Sequence, residues 1–197
     1  MVSDKGALDK VTLDGRFVRL EPLEERHREL VRPAAQHPEI FTVTTSALGP
    51  LFNPYIDNAL RRSASGHEMA FVVWHKALQR YVGMTRYVNI EAAHRKLEIG
   101  STWYEPAVWA GEVNPECKLL LMLHAFEMLK FNRVEYKTDL RNARSRAAIL
   151  KLGAKQEGIL RKHMIMADGH VRDSVYFSVI DEEWSEVKAG LERRLAA

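Results

Sequence analysis

The hydrophobic and polar positions before residue 68 predict one strand and two helices. Residues 16–23 (RFVRLEPL) alternate between apolar and polar, which is typical of a half-buried strand. Residues 24–36 and 53–62 favour helices. The stretch between those helices, residues 37–51, contains two prolines, several threonines and a glycine, and indicates a loop or a broken helix.

A second pattern begins at residue 68, where short apolar runs favour strands. The predicted strands are 68–75 (EMAFVVWH), 80–90 (RYVGMTRYVNI) and 96–104 (KLEIGSTWY). Gly83 marks a bulge within the second of them. The short connections between these runs predict an antiparallel meander.

Helices and strands alternate in the remainder of the chain. The predicted elements are an apolar helix over 119–129, a strand over 133–139, a helix over 142–152, strands over 159–166 and 172–180, and a helix from about Asp181. Gly153 is suited to ending the second helix, and Asp168-Gly169 is a strong signal for a hairpin turn.

This order of elements predicts a mixed α/β sheet in one domain that spans residues 1–197, with residues 1–12 loosely held. A chain of 197 residues with 46% hydrophobic residues is long enough for one real core. Ligands of such sheets favour the carboxyl ends of strands, where a loop leads into a helix.

Net charge, cysteine content and the length of the apolar runs limit the kinds of partner and cellular location that are expected. The net charge of +3 does not require a nucleic-acid or membrane partner, although the basic balance suits an anionic ligand. Cys117 is the single cysteine, and no apolar run has the length of a membrane span. The N-terminus lacks the apolar segment of a signal peptide, so a cytoplasmic location is expected. The oligomeric state is left open, and a homodimer is compatible with the sequence.

The stretch WAGEVNPECK, Trp109 to Lys118, precedes the apolar helix and has two interpretations. Asn114 is a good N-cap and Pro115 a favoured first helical residue, so the stretch can be simply a helix start. Alternatively, its main-chain amides can hold an anion. Glu112 and Glu116 oppose that second interpretation unless both point outward, and Lys118 partly compensates for them.

The stretch TDLRNARSRAAILKLG, residues 138–153, is also open to two interpretations. Asn142 is suited to cap the helix that follows the strand, and Ser145 falls in its first turn. The arginines around them form either a solvated face or an anion site, because guanidinium groups suit phosphates. The run is short and lacks interleaved aromatic residues, which disfavours nucleic-acid binding.

Four segments together resemble the GNAT N-acetyltransferases, and are most similar to the Rim-type branch that acetylates the N-termini of ribosomal proteins. They are LEIGSTWYEP, VNPE-x-KLLL-x-L-HAFE, NRVEYKTD-x-RN-x-RSR with its KLGA ending, and DG-x-VRDSV. The resemblance spans roughly residues 15–187. It implies a twisted mixed sheet of about seven strands with helices on both faces, splayed between the fourth and fifth strands.

The resemblance also implies acetyl-CoA as co-substrate, bound in the V between residues 97–104 and 134–139. In the family the pantetheine pairs with the fourth strand, the pyrophosphate meets the following loop, and an asparagine before the next helix contacts pantetheine. The cofactor-binding residues implied here are Ser101, Thr102, Trp103, Trp109, Ala110, Gly111, Glu112, Val113, Asn114, Lys118, Asn142, Arg144 and Ser145.

Two departures from the family pattern affect the expected chemistry. The loop positions that usually hold Q/R, G and G/A hold Trp109, Glu112 and Asn114, and Glu112 is therefore expected to turn to solvent. The tyrosine acid of many members is missing, and Ser145 is the candidate replacement. Glu98, which is expected to share a face of its strand with Gly100 and Thr102, is the first candidate for the general base.

The implied reaction is acetyl transfer to a primary amine, either a protein N-terminus or a small molecule, in a ternary complex. Residues 41–58, the least regular part of the chain, are expected to shape the acceptor site. His163 is a weaker candidate base, and an ion-pair role for Glu98 remains open. The histidines and Cys117 show no metal-binding spacing, so no metal is expected. The alternative function is a CoA-binding module with little transferase activity.

Overall fold

The computed structural model describes residues 8–43, 47–166 and 168–196. The strands in these ranges are β1 (Leu13–Asp14), β2 (Val18–Pro22), β3 (Met69–His75), β4 (Arg80–Glu91), β5 (Lys96–Tyr104), β6 (Arg133–Asp139), β7 (Lys155–Ile165) and β8 (Val171–Ile180). They form one sheet in the order β1-β2-β3-β4-β5-β6-β8-β7. Among these strands only β5 and β6 pair in parallel. The predicted mixed sheet is confirmed. It has eight strands rather than the expected seven or so, because the two-residue strand β1 was not predicted.

Helices cover both faces of the sheet, as predicted. They are α1 (Arg28–Val31), α2 (Phe52–Ala64), α3 (Val113–Leu123), α4 (Ala143–Lys151) and α5 (Trp184–Ala196). Alternate side chains of β3 pack into two hydrophobic cores, one on each face of the sheet. Phe71 lies in the core that contains residues of α3 and α5, and Val72 lies in the core that contains residues of α2. This period of two is what the pleat of a buried strand dictates.

The first third of the chain differs most from the predicted elements. The single helix expected over residues 24–36 is short α1 between two 3₁₀ turns, because Pro33 cannot continue an α-helix. Residues 1–7 of the segment expected to be loose lie outside the described residues. Within residues 8–12, Leu8 and Val11 pack partly buried against the main core, whereas Asp9, Lys10 and Thr12 are exposed. The loose hold of this segment stays a prediction.

Helix α3 begins at Val113, so Asn114 is not its N-cap and Pro115 is not its first residue. Pro115 still falls in the first turn, where its missing N–H costs no intrahelical bond. The helix ends in a wide turn over His124–Met128, in which the Leu129 N–H donates to the His124 carbonyl.

The ends of α4 agree with the sequence analysis: Asn142 caps its start, and Gly153 follows its end with φ of +98°. The next strand, β7, begins at Lys155 rather than at the predicted Ile159.

Candidate active site

The sheet opens between β5 and β6. Their parallel register runs from Lys96 opposite Arg133 to Glu98 opposite Glu135, and ends there. Beyond that pair the strands continue to Tyr104 and Asp139 with no pairing between them. The V expected between these strands is therefore present, with Glu98 at its apex. Its two strand edges offer main-chain donors and acceptors to an extended ligand.

A bulge shapes the β5 side of the V. Ser101 and Thr102 together lie opposite the single residue Thr85 of β4, and Ser101 adopts φ of +47°. A bulge shifts the alternation of side chains by one residue, so Thr102 turns to the α3 face of the sheet. The prediction that Thr102 shares a face with Glu98 is therefore wrong.

The V forms one wall of a cleft of about 590 Å³. Most of the residues predicted to bind the cofactor or to act in catalysis line it: Glu98, Ser101, Thr102, Trp103, Trp109, Ala110, Asn114, Lys118, Asn142, Arg144 and Ser145. Segments separated by tens of residues therefore converge on one concave site, which is a usual form for a small-molecule site.

Three predicted residues of the loop before α3 do not line the cleft. Val113 is buried in the main core, and Gly111 is exposed. The Glu112 carboxylate lies 3.3 Å from His75 Nε2, with 37% of its side chain exposed. The expectation that Glu112 turns to solvent is thus corrected: it turns away from the cleft but contacts His75. The Glu112 carboxylate therefore does not face an anion held at the main chain of this loop.

Glu116 also points away from the cleft, but inward rather than outward as the anion interpretation required. Its carboxylate is buried and accepts hydrogen bonds of 2.7 Å from the main-chain N–H groups of Arg16, Phe17 and Val18. A Cβ at Gly15 would come within 2.6 Å of this carboxylate. Glu116 therefore anchors the start of β2 to α3 and leaves the cleft free of its charge.

Trp109 and Arg144 join the loop after β5 to the start of α4. The Trp109 indole donates to the Tyr104 carbonyl at 2.8 Å, and the Arg144 guanidinium lies 4.0 Å from the centre of the indole ring. This cation–π contact holds a positive charge over the loop.

Asn142 fixes the first turn of α4 beside the cleft. Its side-chain oxygen accepts from the Ser145 main-chain N–H at 3.0 Å, which is the N-cap predicted from the sequence. The cap orients the turn so that Ser145 lines the cleft. No hydrogen bond within the described chain engages the Ser145 hydroxyl, which leaves it available to a ligand.

Lys118 is a buried cation with no acidic partner among the described residues. Its Nζ donates to Thr102 Oγ1 at 2.9 Å and lies 5.8 Å from the centre of the Tyr136 ring. Burial lowers the pKa of Lys118 to about 8. A charge kept in this position costs folding free energy and is suited to meet an anion that enters the cleft.

Replacing Lys118 with methionine is expected to raise the free energy of unfolding at pH 7 by roughly 2 kcal/mol, since the penalty of burying the charge is removed. The pKa of Lys118 is about 8 in the folded protein and 10.5 for a lysine exposed to solvent, as in the unfolded chain. Between these two pH values the unfolded chain therefore binds more protons than the folded protein. The wild type should therefore regain stability relative to the variant as the pH rises from about 8 to 10.5.

Denaturant unfolding from pH 7 to 10.5 measures this effect, and titration calorimetry should show CoA bound about tenfold more weakly. Lys151→Met, an exposed position at the end of α4, is the matched control. A variant that is less stable than the wild type at pH 7 would contradict the interpretation of Lys118.

Glu98 lies buried at the apex of the V, next to the path of a ligand. Its Oε2 accepts from Asn89 Nδ2 at 2.9 Å and lies 3.5 Å from Lys137 Nζ. A Cβ at Gly100 would come within 3.0 Å of Glu98 Oε1. The carboxylate therefore lies over Gly100, just before the bulge. The sequence left open whether Glu98 is an ion-pair residue or a candidate base in the cleft. In the structure it has an ion-pair partner, Lys137, and it also lines the cleft.

The α2 face of the cleft is lined by aromatic side chains and one ion pair. Trp103 donates its indole N–H to the Tyr55 hydroxyl at 3.1 Å and packs edge to face against Phe41. Arg62 and Glu68, also at the cleft, form an ion pair. Phe41 and Tyr55 belong to the segment expected to shape the acceptor site, of which Thr44, Thr45 and Ser46 lie outside the described residues.

Sequence reasoning missed five charged residues of the cleft, the Arg62–Glu68 pair and three residues on neighbouring strands. The residues on strands are Lys137 and Asp139 on β6 and Arg172 on β8. Strand alternation is a signal for Lys137, which lies between buried Tyr136 and Thr138. It gives no such signal for Asp139, which is itself buried, or for Arg172, which begins a run of three polar residues.

Cys117 and His163 do not contribute to the cleft. Cys117 packs fully buried, as predicted, and burial raises the pKa of its thiol to about 12. His163 does not line the cleft, and its ring contacts the Ser174 hydroxyl. In the described ranges no group of three or more His, Cys, Asp or Glu side chains is arranged to hold a metal ion. No described helix has the length and apolar character needed to cross a membrane.

Comparison with known sequences supports the family resemblance. The family model described as an acetyltransferase (GNAT) domain matches residues 18–155. YdaF of Bacillus subtilis (strain 168), provisionally named a ribosomal N-acetyltransferase, is 32% identical over 106 residues, or 54% of this chain. That alignment spans 57% of the length of YdaF.

Solved structures agree over nearly the whole chain. A GCN5-related N-acetyltransferase from Brucella melitensis shows 31% identity and a TM-score of 0.87, covering 95% of this chain and 86% of that one. A provisionally assigned acetyltransferase from T. thermophilus shows 35% identity and a TM-score of 0.85, covering 96% and 98%. Mycobacterium smegmatis RimJ in complex with CoA-disulfide, at 19% identity and a TM-score of 0.76 over 93% of each chain, shares the fold. The chain therefore belongs to the GNAT family of acetyltransferases.

Proposed function

We propose that this chain transfers an acetyl group from acetyl-CoA to a primary amine, with both substrates bound at once. The observation that carries the proposal is the V between β5 and β6, on which the first turns of α3 and α4 converge. The name of the Bacillus relative supports a cytoplasmic location for the reaction.

The cleft fits acetyl-CoA in shape and charge. The unpaired edges of β5 and β6 suit the amides of a pantetheine arm. Main-chain amides before α3, with Lys118 and Arg144 nearby, suit a pyrophosphate, and the carboxylates of Glu112 and Glu116 are turned away. When bound, acetyl-CoA supplies an acyl group on a thiolate leaving group; thiols are weak acids of moderate pKa, about 8.5 for the free cysteine side chain.

The residues of the cleft can supply the remaining chemistry. Glu98 accepts the proton that the amine loses as its nitrogen bonds to the acyl carbon. Main-chain N–H groups at the Ser101–Thr102 bulge donate to the oxygen that becomes negative. Ser145 donates a proton to the departing sulfur as the carbon–sulfur bond breaks, and regains one through water, to which Glu98 releases the proton that it took from the amine. The products are an N-acetyl amine and CoA.

Release of free thiol from acetyl-CoA, followed across small amines, amino acids and N-terminal peptides, tests this proposal. We expect amine-dependent release, with the acetylated product identified by its mass. Ala148→Trp, which fills the cleft from α4, should lose both CoA binding and activity. Wild-type protein that binds CoA but releases no thiol with any amine would instead favour the CoA-binding module, for which the glycine-poor loop with Glu112 is the specific argument.

Replacing Ser145 with alanine should lower kcat about tenfold, because a thiolate leaves readily and its protonation is the least demanding step. The Asn142 cap accepts from the main-chain N–H of residue 145, so the turn should be preserved in the variant. Steady-state thiol release together with the Kd for CoA measures both effects. An unchanged kcat would remove Ser145 from the mechanism, and a large rise in Kd would make it a binding residue instead.

A further inference from the structure

Arg172 faces the cleft without a partner among the described residues. Of the arginines that line the cleft, Arg62 pairs with Glu68 and Arg144 lies over Trp109. No hydrogen bond or ion pair within the described chain engages the Arg172 side chain, and its Nε is buried without a hydrogen-bond partner. Such a group costs free energy unless a ligand satisfies it.

The acidic groups near Arg172 are already engaged by other partners. Asp139 accepts from the Arg141 main-chain N–H at 2.8 Å and lies 3.4 Å from His170 Nε2. Glu98 is held by Asn89 and Lys137. Burial lowers the pKa of Arg172, an effect that the charges of Asp139 and Glu98 oppose. The Arg172 guanidinium therefore interacts electrostatically with both carboxylates without forming an ion pair with either, and it is available to bind an anion.

Arg172 lies on the face of the sheet that carries Glu98, away from Lys118. On β8, Val175 points into the main core, whereas Tyr176 contacts Lys137 on the opposite face. Strand alternation places Arg172 on the same face as Tyr176. Lys118 approaches Thr102 from α3, on the other face. Arg172 thus lies on the opposite face from Lys118, a cation suited to the cofactor phosphates, and on the same face as the candidate base Glu98.

We propose that Arg172 binds the carboxylate of the acceptor and that the acceptor is a free α-amino acid. This inference rests on the proposed acetyl transfer. The cleft face that carries Glu98 also carries an unpartnered cation, and an α-amino acid has its amino and carboxylate groups on one carbon. With the carboxylate on the Arg172 fork, the amino group is directed to the Glu98 side. The cleft of about 590 Å³ must also hold the acetylated end of the cofactor, which favours a small acceptor.

Thiol release with amino acids and with their carboxamides tests this assignment. The wild type should show a kcat/KM at least about tenfold higher for acids than for amides of the same side chain, as expected for a charge-assisted hydrogen bond. Arg172→Gln should remove this preference by raising KM for acids only, and Arg172→Lys should restore part of it. Arg161→Gln, on the exposed partner strand β7, is the matched control and should keep the preference.

A binding measurement separates failure of this inference from failure of the proposed function. Calorimetry with N-acetylalanine and N-acetylalaninamide, in the presence of CoA, needs no turnover and should show the acid bound more tightly by the wild type only. Equal use of acids and amides, or a preference that survives in Arg172→Gln, would overturn the inference while acetyl transfer stands. A preference for peptides with an acidic second residue over free amino acids would also overturn it. Absence of transfer to any amine would contradict the proposed function, and the binding result would then decide the role of Arg172.

Discussion

Replacing Glu98 with glutamine is expected to lower kcat about a hundredfold or more, which is the usual contribution of a general base. Glutamine keeps the shape of the side chain and its contact with Asn89 but cannot take a proton at neutral pH. The carboxylate lies buried at the apex of the V, where β5 and β6 part, and overhangs Gly100. Acetyl-CoA binding should be preserved, because the cations suited to the phosphates lie elsewhere in the cleft.

The matched control for this prediction is Glu135→Gln. Glu135 is the register partner of Glu98 on β6 and pairs with Arg133 at 2.8 Å, but it does not line the cleft. Both variants remove a strand carboxylate with a cationic partner, so a purely structural role predicts similar losses. Steady-state thiol release, the Kd for CoA and the unfolding midpoint should be measured for each. Equal kcat values for the two variants would reduce Glu98 to an ion-pair residue.

Replacing Glu116 with alanine is expected to reduce the free energy of unfolding by about 3 kcal/mol or more, since three buried or part-buried main-chain donors lose a charged acceptor. Arg16, Phe17 and Val18 donate to this one carboxylate, each at 2.7 Å. Glu116→Gln should fall between the wild type and the alanine variant, because its amide retains one acceptor oxygen.

Urea unfolding monitored by tryptophan fluorescence measures this loss, and Glu112→Ala, one turn earlier and part-exposed, is the control. The control should cost no more than about 1 kcal/mol, as is usual for exposed ion pairs. A loss of that small size for Glu116→Ala would mean that the anchor between β2 and α3 contributes little. The interpretation of Glu116 as structural rather than part of the phosphate site would then lose its support.

Elements with a strong local signal could be predicted from the sequence. The strands at 80–91, 96–104 and 133–139, the Asn142 cap and the turn at Asp168-Gly169 are set by alternation, capping and turn chemistry within a few residues. The resemblance of motifs then supplied their arrangement. Chain segments with competing local signals, such as residues 24–36 with Pro33, were assigned less well.

The directions of the charged side chains could not be predicted, because long-range contacts decide them. Glu116 has a polar, helix-starting context in the sequence, but its partners lie about a hundred residues earlier in the chain. Thr102 changes face only because of the bulge at Ser101, which depends on pairing with β4. Arg172 lines the cleft because β8 lies beside β6 in the sheet, an arrangement that the order of elements alone does not fix.

A crystal structure of this chain with CoA tests most directly whether the V between β5 and β6 is the cofactor site. We expect the pantetheine arm between β5 and β6, the pyrophosphate at the main chain of residues 109–114, and Lys118 within reach of a phosphate oxygen. The Glu112 carboxylate should remain on the His75 side, away from the phosphates. CoA bound outside the V, or the carboxylate of Glu112 in contact with the phosphates, would contradict this assignment.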